Sequence, residues 1–257
     1  MGDGINGARA ARSEGGPAQS GGFKTEFHIH TRYSHDSMMG KRALLFMCKA
    51  RGVDCVAITD HNEVAGAIAY APFLEAHGVR VIVGEEVFTC EGEIVGLFLE
   101  KRVKPGLTPE ETIRRIREQG GVVYIPHPYD EKRAKSVLSR SAIHRNASLI
   151  DCVEIHNGRN AKAGFSHVQA RIASEEGLSP IIGCDAHCFF EIGRNVCVSD
   201  APFTRKRFNE TLASSRFEPS DCMRAAHGVT ALVRLTKMLF EGRFDEIHRI
   251  LRGKLVG

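Results

Sequence analysis

The chain has 257 residues, 42% of them hydrophobic and 26% charged, with a formal net charge of +4. These ordinary globular values leave enough apolar residues for a sizeable core and exclude an intrinsically disordered chain. No run approaches the ~18 consecutive apolar residues of a membrane-spanning helix, and the charge is too small to argue for a nucleic-acid partner.

Residues 1–22 are mainly Gly, Ala, Ser and Arg with almost nothing to bury. They predict a disordered leader, followed by one folded domain over 23–257. No basic-then-apolar signal sequence opens the chain, and its eight cysteines form no CxxC pair, so a reducing, cytoplasmic setting is expected. Short β-rich runs follow at 24–30, 54–59, 80–83, 94–99, 122–126, 149–155, 180–184 and 195–198. Helical patterns alternate with them at 41–51, 63–75, 109–119, 161–176, 204–215, 229–240 and 244–252. Gly52, Gly78, Gly120 and Gly177 each stand where a helix stops before a strand. Such alternation predicts an α/β fold built on a parallel sheet.

The polar residues at the strand ends carry the chemistry. His28 and His30 alternate on the first strand and so face one way, with Asp36 at the turn beyond. An apolar strand ends in Asp60-His61, another in Gly84-Glu85-Glu86, and a third in His127 clamped between Pro126 and Pro128. Alternation places Glu154 and His156 on one face, and Gly183 precedes Asp185 and His187. In this reading Glu86 is a surface acid on the next element. Side chains arriving from so many strand ends favour a closed barrel over an open sheet. Mixed imidazole and carboxylate donors suit Mn, Zn or Fe better than Mg or Ca.

In order, these motifs resemble those of the PHP family, named for polymerase and histidinol phosphatase, over most of residues 24–215. The resemblance implies a distorted seven-stranded β/α barrel holding two or three divalent metal ions at the C-terminal edge of its strands. It implies a first metal on His28, His30, Glu85 and Asp185, with Glu85 bridging to a second on His127 and His156. A third would take Asp36, His61 and His187, with Asp36 standing where relatives usually carry histidine. The implied activity is cleavage of phosphate esters by metal-activated hydroxide. His187, Asp60, Arg159 and Arg194 are the candidate catalytic groups, the arginines as phosphate contacts, while Asp60 and Glu154 would orient ligand histidines.

A small phosphorylated substrate or a nucleic-acid 5′ end is the expected partner, with no membrane and no obligate protein partner. The basic segment 130–147 is either a lid or a helical connection, and is expected to set substrate identity. Two other readings stand beside this one. A C–N bond hydrolase is disfavoured because no lysine stands at a strand end, and a non-catalytic metal-binding module is disfavoured because every ligand type is intact. His77, His144, His167, His227 and His248 are read as surface or packing residues.

Overall fold

A computed structural model describes residues 22–133, 135–245 and 247. The predicted leader and most of the predicted helix at 244–252 lie outside these residues. The chain runs β1 (Phe23–Ile29), α1 (Lys41–Arg51), β2 (Cys55–Ile58), α2 (Ala65–Ala76), β3 (Arg80–Thr89), β4 (Gly92–Leu97) and α3 (Pro109–Glu118). It continues through β5 (Val122–Ile125), α4 (Arg140–Asn146), β6 (Cys152–Asn157), α5 (Gly164–Glu176), β7 (Ser179–Gly183), β8 (Val196–Ser199), α6 (Phe208–Ala213), β9 (Arg216–Glu218) and α7 (Arg224–Phe240).

The strands form one sheet in the order β7-β6-β5-β4-β3-β2-β1-β8-β9. Just past β7 the chain returns to β1: Cys184 N donates to Phe27 O at 2.9 Å and His30 N to Ala186 O at 2.8 Å. The sheet thereby curls into a nearly closed barrel. It has nine strands among the described residues, where seven were expected, because β8 and then β9 pair antiparallel onto the outer side of β1. β9 is only three residues long, too short to give a periodic signal.

The sheet is mixed, which corrects the parallel expectation. β4 pairs antiparallel with both β3 and β5, since a tight turn replaces the expected crossover. Thr89 Oγ1 donates to Gly92 O at 2.6 Å and accepts from Glu91 N at 3.1 Å, closing that hairpin. The strand read as ending near Val83 therefore continues to Thr89.

Helices begin and end where local chemistry says they should. In α3, Thr108 accepts a hydrogen bond from Glu111 N, Pro109 occupies the first turn, and Arg115 and Arg117 lie in the last. Segment 130–147 does contain a helical connection, α4, capped by Ser139 on Ala142 N. The barrel interior takes Phe27, Ala57, Ile82, Leu97, Tyr124, Cys152 and Ile181, one from each of β1 to β7, closed from below by Phe203 and Phe208. Outside, Ile113, Ile116, Ile143 and Ile172 pack in one apolar cluster and Leu44, Tyr70 and Leu74 in another, under the surrounding helices. At the end of the barrel where the parallel strands finish, imidazoles and carboxylates replace the apolar layer.

Candidate metal centre

β1 does not keep simple alternation to its end. The register slips between Glu26 and Ile29, and His28 sits at φ 66°. This lets Phe27 and His28 both face the interior, and His30 joins them with its ring centroid 5.1 Å from that of His28. His127 and Asp185 also have positive φ, at 27° and 56°. Backbone strain of this kind, roughly 1–3 kcal/mol per residue, gathers at sites that need one fixed geometry.

Hydrogen bonds aim the rings. His28 Nδ1–H donates to Glu154 Oε1 at 2.8 Å, which leaves Nε2 facing Glu86 Oε1 at 3.2 Å. Ser34 Oγ donates to Asp60 Oδ1 at 2.7 Å, so it accepts from His30 Nδ1–H at 3.1 Å and leaves His30 Nε2 facing inward. A carboxylate–histidine contact that fixes tautomer and ring angle is the usual support of a metal ligand. Asp60 also accepts from Thr31 N and Thr31 Oγ1, at 2.6 and 2.7 Å, and so shapes the loop carrying His35 and Asp36.

Donor atoms converge in overlapping sets within 4.8 Å of one another: His28, His30 and Asp185; His28, Glu86 and His127; His30, His61 and His187; and His61, Glu86 and Glu93. Asp36 Oδ2 lies 3.2 Å from His187 Nε2 and 3.6 Å from His61 Nε2. His28 Nε2, His30 Nε2 and Glu86 Oε2, which face one another across this cluster, are buried with no well-aligned hydrogen bond. Buried polar atoms left this way are costly, and here they point at a shared centre, which fits bound divalent cations.

Two expected positions move. Glu85 lies outside the cluster: it shares the outward face with Val83 and Val87, and Glu85 Oε2 accepts from Val103 N at 2.7 Å. Glu86, in phase with the interior Ile82, occupies the centre, with His61 Nδ1 at 2.9 Å and His127 Nε2 at 3.1 Å. It is 1% exposed, so it is no surface acid. His156 is also outside: a bulge between Glu154 and His156 reverses the alternation. Its ring nitrogens meet Ser166 Oγ at 2.9 Å and Ser220 O at 3.2 Å.

Neither expected phosphate-contacting arginine points into the cluster. Arg159 is buried against Glu191 at 2.9 Å and Thr230 at 2.6 Å, and Arg194 donates to Ser220 Oγ at 2.7 Å. Arg133 does reach it, with Nη1 2.5 Å from Asp185 Oδ2. Arg133 and Glu93 were missed because neither belongs to a motif at the end of a predicted strand. For Glu93 the signal was the hairpin, whose register sets it beside Phe88 and two residues from the interior Val95.

Electrostatics divides the rings. Burial opposes charge on His28, but Glu86, Asp185 and Glu154 outweigh it and raise its pKa well above the imidazole range. Burial, with His187 and His61 beside it, holds His30 well below that range. For Glu86 the charges of His28 and His61 overcome burial and keep the carboxylate ionised, while burial and then Glu86 itself push Glu93 up to about 7. Protons here stand where a cation would serve the same carboxylates.

Close packing supports the network. A Cβ on Gly183 would lie 1.8 Å from Glu154 Oε1 and 2.6 Å from the Tyr124 hydroxyl. Gly183→Ala is therefore expected to destabilise the fold by roughly 1–3 kcal/mol, the usual cost of overpacking. A denaturant midpoint equal to wild type would show that Glu154 can move freely.

A family model for the PHP domain matches residues 26–156, just over half of the chain. An uncharacterised protein of Methanocaldococcus jannaschii is 44% identical over 117 residues, covering 42% of this chain and 68% of that protein. A second uncharacterised protein of the same organism is 30% identical over 173 residues, covering 66% of this chain and 68% of its own length. Among solved structures, a two-domain Bacteroides vulgatus protein containing a predicted PHP-like metal-dependent phosphoesterase superposes with a TM-score of 0.61 at 16% identity. The alignment covers 83% of this chain and 70% of the other, a likeness of fold. The matched segment carries Glu86, Glu93 and five of the clustered histidines and carboxylates of the first four motifs, and on that match the chain belongs to the PHP domain family.

Proposed function

We propose that this protein hydrolyses phosphate esters with two or three divalent cations held by His28, His30, Asp36, His61, Glu86, Glu93, His127, Asp185 and His187. The observation that carries this reading is the set of buried imidazole nitrogens and carboxylate oxygens converging at one end of the barrel. Mixed nitrogen and oxygen donors favour Mn, Zn or Fe. When bound, the cations would supply Lewis-acid stabilisation of phosphoryl charge and ionise a water at neutral pH.

The chain's own residues would do the positioning. Glu86 touches four imidazoles and is suited to bridge, in the role first expected of Glu85. Arg133 offers the guanidinium closest to the cluster for phosphate oxygens, while Glu154 and the Asp60–Ser34 pair hold His28 and His30 in the required tautomer. Arg159 and Arg194 are better read as supports of the rim.

A cavity of about 840 Å³ lined by Lys132, His156, Asn160, Lys162, Ser166 and His227 adjoins this end of the barrel. At its wall, burial and then the charges of Arg159 and Arg133 hold the His227 imidazole below its ordinary range, with Asp185 opposing them. Its size suits a small phosphorylated molecule or a terminal nucleotide.

Elemental analysis of the purified protein, followed by assays of an aryl phosphate, nucleoside monophosphates and a 5′-phosphorylated oligonucleotide with Mn, Zn or Fe(II), tests the reading. Two or more metals per chain with phosphate release are expected, and chelation should abolish both. Metal at about 100 times its Kd should also stabilise the fold by about 2.7 kcal/mol. Metal without phosphate release would turn the assignment toward C–N hydrolysis or a binding module, and absence of metal would overturn it.

A further inference from the structure

α7 lies beyond the segment matched by the family model, yet it is fastened to two loops of the metal centre. Near its C-terminal end, Lys237 Nζ donates to Arg32 O at 2.9 Å and Ser34 O at 2.6 Å. An ammonium has three donors and no acceptor, so one side chain can hold both carbonyls. Those carbonyls belong to the turn that presents Asp36, whose Oδ2 faces His61 and His187.

Nearer the N-terminal end of the helix, Thr230 Oγ1 accepts from Arg159, and Arg159 is paired with Glu191. Glu191 Oε2 in turn accepts from His187 N at 2.9 Å and Cys188 N at 2.8 Å. The helix thus braces, from one side, the loop of Asp36 and, from the other, the loop of His187.

We propose that α7 completes the metal centre and that Lys237, 203 residues beyond the Ser34 carbonyl that it holds, is a positioning residue, setting Asp36 against His61 and His187. This rests on the metal-centre reading above. A cation shared by Asp36, His61 and His187 needs Asp36 and His187 brought from two irregular loops, whereas His28, His61 and His127 stand on or beside the barrel strands. Loss of the brace should therefore weaken one cation selectively.

The test is Mn(II) and Zn(II) titration of the full-length, metal-stripped protein by calorimetry, comparing wild type, Lys237→Met, Lys237→Gln, Lys237→Arg and Asp36→Asn. Asp36→Asn identifies the binding step that belongs to this group. In the Met and Gln variants that step is expected to weaken about 10–100-fold, the usual effect of removing a ligand's support, with Lys237→Arg restoring most of it. The other steps and the melting temperature of the metal-free protein should stay close to wild type.

An unchanged Asp36-dependent step in the Met and Gln variants would overturn the proposal, as would equal weakening of every step with a lower melting temperature. If Lys237→Met fails to fold, Lys237→Gln carries the comparison. A wild-type protein that binds neither metal would instead sink the metal-centre reading itself.

Discussion

Glu86→Gln is expected to lower phosphate-ester turnover on the order of 10³-fold and to remove at least one metal equivalent, whereas Glu85→Gln should stay close to wild type. The two side chains are neighbours with nearly equal burial, at 1% and 0% exposure, so burial cannot separate them. Strand phase does. Glu86 has both oxygens among imidazoles, Oε1 toward His28 and His127 and Oε2 toward His30 and His61. Glutamine keeps that shape but loses the charge and turns one oxygen into a donor, which no cation accepts as ligand.

Glu85 faces the outer layer, where burial raises its carboxyl to about 7 and its polar contact is the Val103 N–H. A glutamine oxygen can accept that bond equally well. Steady-state kinetics with elemental analysis on both variants decides the matter, and loss confined to Glu85→Gln would return the bridging role to that residue.

The same pair shows why part of the site was legible in the sequence and part was not. Apolar runs ending in acid and histidine located the strand exits, and His28, His30, His61, His127, Asp185 and His187 are indeed brought together. What fails is phase. An apolar run gives no sign of its last residue, so stopping β3 at Val83 removed the alternation that links Ile82, Gly84 and Glu86. On β6 alternation was applied correctly, but the bulge after Glu154 cannot be read from Cys152-Val153-Glu154-Ile155-His156. On β1 an equivalent slip left His28 facing inward, because the left-handed residue is the proposed ligand itself. Arg133 and Lys237 were hidden for another reason: each reaches the site through tertiary packing, from a loop and a distant helix, with no periodic cue.

Glu154→Gln should weaken both metal binding and the fold, because a single carboxylate there serves four donors. Oε1 accepts from His28 Nδ1 at 2.8 Å and from the Tyr124 hydroxyl, and Oε2 from His127 N at 2.6 Å and Asn157 Nδ2 at 2.8 Å. An ionised carboxylate has acceptors for all of them, while glutamine must set an amide N–H against two buried donors. At roughly 1–3 kcal/mol for each unsatisfied group, the variant should lose about 2–6 kcal/mol of stability. Metal affinity should fall about 10–100-fold, since His28 is then free to rotate and to change tautomer.

The pH dependence gives the sign of the effect. Burial disfavours the charge on Glu154, but His28 and its hydrogen bond outweigh it and hold the carboxyl below its ordinary range. A depressed folded-state pKa contributes stability that is present above the unfolded value of about 4.3 and is lost as pH falls toward the folded value. On the acid side, the gap between wild type and Glu154→Gln should therefore narrow as pH falls below about 4.3. Denaturant melts of the two metal-free proteins across that range measure it, and a gap that widens in acid would mean that Glu154 is already protonated in the folded protein and acts as a donor.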